Sequence, residues 1–270
     1  DSQAPQLATW ESLRRDEVLR LFETHVYGKT PTAPLRVRAE VLERSDSALG
    51  GRAIRRQIAL TMSPVAQTDQ CNSVRIEVLI YTPRNMVGRS PAFIGLNFFG
   101  NQSVHPDPGI RLAQGWLRNR EKLGIVDNRA TEASRGANQH RWQVERLIDR
   151  GYGLVTAYYG DIDPDNYQND FTDGVHPLFY ASGQTEPAAD EWGAIGAGAW
   201  GLSTIRKWLE ADALVNANRL AVIGHSRLGK TSLWTGATDE RFALVISNNS
   251  GCGGAALARR HYGETVQRIN

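Results

Sequence analysis

Cysteine is nearly missing from this chain. Cys71 and Cys252 are the only two in 270 residues, too few for a disulfide framework or a zinc site built on thiolates. Free thiols are the expectation. Long apolar runs are missing as well, and no stretch approaches the roughly 20 consecutive apolar residues of a membrane span. Charge of one sign is not in excess: 31 Lys and Arg face 29 Asp and Glu, a formal charge of +2. That balance implies no broad pull toward nucleic acid or a membrane surface. The first residues, Asp1 to Pro5, lack the basic and apolar regions of a signal peptide. A trimmed mature chain and a cytoplasmic one would both begin this way. Internal repeats and low-complexity tracts are absent.

What is present suits one large domain, since α/β folds of this length often stay undivided. Residues 8 to 27 read as an amphipathic helix, with Trp10, Leu13, Val18, Leu21 and Phe22 near helical spacing. Four runs with strand character follow, at Leu35–Leu42, Ala53–Met62, Val74–Thr82 and Ala92–Phe98, separated by polar turns. Beyond Gly100 the pattern becomes helices alternating with short apolar strands. Val144, Leu147 and Ile148 mark a helix stopped by Gly151, and a strand follows from Gly153 to Tyr159. A helix expected to be capped by Asp190 carries Trp192, Ile195, Leu202, Ile205 and Leu209 toward a core. Gln102 to Gln139 lacks clean periodicity and reads as long surface loops. Such alternation predicts a mostly parallel central sheet covered on both faces, the three-layer α/β-hydrolase sandwich.

The run Gly224-His225-Ser226-Arg227-Leu228-Gly229-Lys230-Thr231 satisfies two incompatible motifs. As G-x-x-x-x-G-K-[ST] it is a phosphate-wrapping loop; as Gly-His-Ser-Arg it is a nucleophile elbow. Both need a buried strand, supplied by Leu220 to Ile223, and a helix after it. A nucleotide site also needs an apolar strand ending in Asp for magnesium. The next strand, Phe242 to Ile246, instead runs into Ser247-Asn248-Asn249-Ser250-Gly251. A phosphate loop also usually opens its domain, whereas only 39 residues follow Thr231. The elbow is the better reading. Ser226 is the candidate nucleophile, with the Arg227 backbone N–H as the usual first oxyanion donor. The loop Phe98-Phe99-Gly100-Asn101 is the best placed source of a second. Lys230 lies at i+4 from Ser226, on the same helix face.

Gly-x-Ser-Arg-x-Gly-Lys resembles the signature of the glucuronoyl esterases, carbohydrate esterase family 15. The resemblance extends to Asn97–Asn101, Tyr158–Pro164, Gly174–Phe179, Asp190–Gly193 and Ser250–Gly254. It covers the chain from about Trp10 onward and is closest to the bacterial branch. It implies a serine esterase without metal or cofactor, cutting the ester between 4-O-methyl-glucuronic acid of glucuronoxylan and a lignin alcohol. It implies that the Arg227 guanidinium joins the oxyanion site, and that Lys230 and Glu264 contact the sugar. It also implies a secreted or periplasmic protein, because the polymer is met outside the cytoplasm.

The chain departs from the fungal pattern in places. His225 stands where fungal members have a cysteine. Asn249, 23 residues after Ser226, stands where they have the triad's glutamate; an amide can orient an imidazole but cannot stabilise its charged form as a carboxylate does. The base should be a late histidine. His261 reads as a surface residue, and His105, His140 and His176 precede the nucleophile. Asp161, Asp163 and Asp165 hint at a calcium loop, but Asn166 and Thr172 stand where glycine and glutamate are required; they read as structural. The expectation is a single domain, residues 1–270, without the C-terminal strands, acid and histidine that complete the fold, supplied by a second chain or a continuation. Two alternatives stay open: another carbohydrate esterase, such as an acetyl xylan esterase, and a non-catalytic protein of this fold that binds acidic glycans.

Overall fold

The computed structural model describes residues 4–65, 73–164, 166, 171–256 and 263–265; Cys71, Asp165 and His261 lie outside them. The chain opens with a helical arm in which α1 (Ala4–Thr9) and α2 (Arg15–Phe22) alternate with π-helical turns at Trp10–Arg14 and Glu23–Tyr27. The expected helix is therefore there, but its apolar side is only partly covered: Leu19 and Val26 pack against Tyr27 and Trp234. Trp10, Leu13, Leu21 and Phe22 are exposed, and Tyr27 is the buried aromatic of the arm.

Two long strands, β1 (Leu35–Ser47) and β2 (Ala53–Pro64), are joined through a helical turn, α3 (Ala48–Gly51), and pair antiparallel. Next come β3 (Val74–Pro83) and β4 (Ser90–Asn97), then a small hairpin of β5 (Ile125–Val126) and β6 (Arg129–Ala130). A helix, α4 (Val144–Asp149), leads to β7 (Gly153–Tyr158); α5 (Ala194–Leu209), β8 (Val215–His225), α6 (Arg227–Thr238) and β9 (Leu244–Asn248) complete the order. The main sheet runs β1-β2-β3-β7-β4-β8-β9. Its first three pairings are antiparallel and its last three parallel. Every residue of β7 is buried, as expected of a central strand covered on both faces. The outer strand β1 is charged and largely exposed, and its register shifts between Val41 and Glu43; both features discourage edge-to-edge pairing.

The core joins the sheet to α5 through Trp192, Leu202, Ile205 and Leu209, as the spacing predicted. Asp190 does not cap that helix. The helix begins at Ala194 behind an extended Gly193, with no side-chain cap, and Asp190 instead meets Lys29 Nζ at 2.5 Å. The stretch from Gln102 to Gln139 is also not a set of surface loops. Gln102, Ser103, Val104, Ile110, Leu117, Ile125 and Ser134 are buried, and polar side chains order the segment. Gln102 Nε2 donates to Phe99 O at 2.8 Å and to Ser134 Oγ at 3.2 Å, while its Oε1 accepts from Ala113 N at 3.1 Å.

His176 reads as structural and is found so. It is fully buried, its Nε2 lies 3.2 Å from Trp192 O, and Phe171 and Trp192 flank the ring. Burial lowers its pKa to about 4, against smaller opposing effects of Trp192 O and Glu191. The unfolded chain binds this proton near pH 6.5 and the folded one resists it. Stability should therefore fall as pH drops from about 6.5 toward 4, and unfolding titrations of His176→Gln should show a shallower decline. No described helix is long and apolar enough to cross a membrane.

Candidate active site

Parallel strands β4, β7 and β8 all end at one edge of the sheet, where open α/β folds place their sites. At that edge β8 stops at His225, a single residue turns, and α6 starts at Arg227. That residue is Ser226, with φ 56° and ψ −126°, in the left-handed half of the map that side chains disfavour. Neighbouring bonds hold the strain. Ser226 N–H donates to Asn248 O at 2.9 Å, and Ser226 O accepts from Gly229 N at 2.9 Å and Lys230 N at 3.2 Å. Gly224 leaves the space this turn needs, since a Cβ there would lie 1.9 Å from Leu228 O. Gly229 is tight as well, with Asn248 O and Ser250 Cβ both 3.1 Å from where its Cβ would be. Ser226 itself is exposed.

This geometry disposes of the phosphate-loop reading. A phosphate cradle needs an open glycine loop of backbone N–H groups. Here one residue separates strand from helix, and Lys230 and Thr231 already lie inside α6. The helix also buries Ser232 and Thr235, whose hydroxyls donate to Leu228 O at 3.0 Å and Thr231 O at 2.7 Å. Their polar groups are thereby satisfied without water.

Lys230 is 3% exposed. Its Nζ lies 2.9 Å from Glu264 Oε2, and the backbone N–H of Cys252 reaches the same oxygen at 3.2 Å. The two residues expected to contact a sugar thus form one ion pair, one helical turn from Ser226. The loop after β4, placed beside the elbow by the β4–β8 pairing, is also ordered. Asn97 Nδ2 bonds Asn101 Oδ1 at 2.8 Å, and Gly100 O accepts from Ser103 N at 3.0 Å and Ser103 Oγ at 2.7 Å. Phe98 shares a cavity of about 520 Å³ with His225, Asn248, Arg141 and Trp142.

His225 Nδ1 lies 3.2 Å from Asn248 Nδ2. Asn249 is exposed at the end of β9 with φ 50°. Among the described residues no histidine hydrogen-bonds the Ser226 hydroxyl. The aspartates of the suspected calcium loop serve different partners. Asp161 Oδ2 accepts from Glu77 N at 3.0 Å, and burial pushes its carboxyl up to about 7; Asp163 Oδ1 lies 3.7 Å from His176 Nδ1. Among the described residues no group of three or more His, Cys, Asp or Glu could hold a metal ion. Cys252 is a free thiol.

Comparison with known proteins adds the decisive observation. A family model described as glucuronyl esterase, fungi, matches residues 166–270. A carbohydrate esterase from an unknown prokaryotic organism is 46% identical over 265 residues, 97% of this chain and 59% of that protein. A solved CE15 esterase from a marine bacterial metagenome, described as promiscuous, superposes with a TM-score of 0.82 at 47% identity, covering 97% of this chain and 63% of its own. The glucuronoyl esterase from Solibacter usitatus gives 0.83 at 42% identity, covering 95% and 62%.

Over nearly its whole length the chain is similar to glucuronoyl esterases. It spans about three-fifths of the length of these relatives. The sheet is that of the α/β-hydrolase fold. One motif named Ser226, Arg227 and Lys230 as candidates, and they lie together at the head of α6; Glu264 entered only through the resemblance. What sequence reasoning missed is the support behind Glu264, the turn at Gly251–Gly254. Its signal was three glycines and a cysteine within a short stretch after β9.

Proposed function

We propose that this chain carries the nucleophile of a serine esterase that hydrolyses 4-O-methyl-glucuronoyl esters, of the kind joining glucuronoxylan to lignin alcohols. One observation carries the reading: an exposed serine on a strained elbow stands one helical turn from a buried lysine paired to a glutamate. Ser226 Oγ attacks the ester carbonyl, and a histidine takes its proton and passes it to the departing alcohol. Water then attacks the acyl-enzyme, its proton going to the histidine, and the uronic acid leaves as Ser226 recovers its hydrogen. The developing oxyanion faces the Arg227 backbone N–H at the head of α6, and the Arg227 guanidinium adds a charged donor. The second backbone donor comes from the Phe98–Asn101 loop.

In the ester the uronic carboxylate is neutral, so a lone cation would gain little there. A lysine already balanced by a carboxylate suits sugar hydroxyls better, because Lys230 donates and Glu264 accepts. The base and the triad's acid belong to the two-fifths of the family's length that this chain does not span, provided by a continuation or a second chain. The end of β9, where Asn249 stands, is not the acid's position in this protein. The substrate is a wall polymer, so the protein works outside the cytoplasm, secreted or periplasmic.

Two substitutions in the full-length protein test the division of labour. Arg227→Ala should lower kcat on a methyl glucuronate ester by about a hundredfold, as loss of one oxyanion donor does elsewhere. Lys230→Ala should mainly raise KM, because hydroxyl contacts hold ground and transition states alike. An unchanged KM in Lys230→Ala contradicts the sugar-contact role. Asn249→Ala should cost far less than loss of a triad carboxylate; a drop in kcat as large as that for Arg227→Ala would contradict its exclusion.

A further inference from the structure

A packed tyrosine lies against Trp234, the residue one helical turn beyond Lys230 on α6, and has no part in the chemistry above. Tyr27 ends the N-terminal arm, is 3% exposed, and its ring centre lies 4.7 Å from that of Trp234 on α6. Its backbone is pinned from the side of α5. Gly28 has φ 75°, and a Cβ there would lie 2.0 Å from Glu191 O. Lys29 N–H reaches Asp190 O at 2.9 Å, and Gly193 N–H reaches Tyr27 O at 3.4 Å. The phenol hydroxyl donates to the carbonyl of Gly253. A buried hydroxyl is costly without a partner, so this bond constrains the carbonyl as much as the ring. Burial, followed by the nearby Cys252 thiol, pushes the Tyr27 pKa up to about 12. The hydroxyl therefore keeps its proton at any working pH.

The turn it grips is closed on itself by Gly254 N–H and Ala256 N–H to Gly251 O, at 3.0 and 3.2 Å, and by Ala255 N–H to Ser250 Oγ at 2.8 Å. The Tyr27 hydroxyl ties that closed turn to the N-terminal arm. Gly251 and Gly253 have φ 68° and 70°, and glycine loses the most freedom when fixed. Yet this turn sets the Cys252 N–H against Glu264 Oε2, the oxygen that Lys230 also meets. The fit is close: a Cβ on Gly251 would lie 2.7 Å from that oxygen and 3.9 Å from Lys230 Nζ. A displaced turn would therefore release or push the carboxylate.

We infer that Tyr27 is a positioning residue for substrate binding: its hydroxyl holds the Gly251–Gly254 turn, which in turn fixes Glu264 beside Lys230 for the uronic sugar. The inference rests on the esterase reading above. Tyr27 touches no reacting atom, so its loss should be felt in binding and leave the chemical step alone.

Tyr27→Phe in the full-length protein removes one oxygen and keeps the ring against Trp234. KM for methyl 4-O-methyl-glucuronate should rise about tenfold with kcat within about twofold, because a contact of ground and transition states alike is weakened. KM for phenyl acetate, which has no sugar, should not move. Alkylation of Cys252, followed by peptide mapping, should speed up roughly fivefold or more as local opening of the turn becomes easier. A tyrosine that merely stabilised the fold would lower Tm and the active fraction for both esters without moving either KM. An unchanged glucuronate KM, or unchanged Cys252 alkylation, overturns the inference. If the wild type fails to hydrolyse the glucuronate ester, the esterase reading fails and the substrate role falls with it; the alkylation rates then still decide whether Tyr27 holds the turn.

Discussion

Ser226→Ala in the full-length protein is expected to cut kcat on a methyl glucuronate ester by about a millionfold, the loss seen when a hydrolase nucleophile is removed. The reason is local. Ser226 is the residue on which the chain turns from β8 into α6, and its side chain is presented at the sheet edge by a backbone with φ 56°. Alanine keeps the Cβ and hence the same backbone strain. Stability should therefore change little, and the circular dichroism spectrum and Tm should match the wild type. A fluorophosphonate should label the wild type at Ser226 and leave Ser226→Ala unlabelled. Labelling at another serine, or activity within a hundredfold of the wild type, would remove Ser226 from the mechanism.

Asp212→Ala should destabilise the fold by about 3–5 kcal/mol, the usual cost of leaving one member of a buried ion pair alone. Asp212 precedes β8 and faces Arg56 on β2 through two bonds, of 2.6 and 2.9 Å. Its Oδ1 also accepts from Leu214 N and Val215 N, each at 2.9 Å. The pair thus ties the start of the elbow strand to the antiparallel half of the fold. Burial works to raise the Asp212 pKa, but the Arg56 guanidinium and the two N–H groups outweigh it and hold the carboxyl below the usual range. A depressed carboxylate contributes stability above its unfolded pKa and loses it as pH falls through the folded value. The difference between wild type and Asp212→Ala in urea unfolding should accordingly be largest near neutrality and shrink in acid. A difference below about 1 kcal/mol at pH 7 would assign the pair no stabilising role.

Where one physical signal dominated, the fold could be read from the residues. The fully buried β7 announces itself as an apolar run, and β2 and β3 were placed to within two residues at each end. The elbow was legible because strain has a composition: only small residues fit at Gly224 and Gly229, and the serine between them has no other reason to be there. Elements ordered by polar side chains were not legible. Gln102 to Gln139 has no apolar period because amide and hydroxyl bonds, such as those of Gln102, hold it in place. Asp190 carries the composition of a helix cap, but tertiary pairing with Lys29 claims its carboxylate. The Lys230–Glu264 contact joins residues 34 apart, and no periodicity rule reports a pairing at that distance. The support that Tyr27 gives Glu264 is more remote still, with 226 residues between tyrosine and carbonyl.

The most direct measurement is the ratio of kcat/KM for benzyl 4-O-methyl-glucuronate to that for an acetylated xyloside, taken with the full-length protein. The buried Lys230–Glu264 pair beside Ser226 predicts a ratio above about a hundred, because each well-placed polar contact to the uronic sugar adds discrimination that an acetyl group cannot use. Lys230→Ala should lower that ratio while leaving acetyl-ester turnover in place. A ratio near one, or a preference for the acetyl ester, would contradict the account.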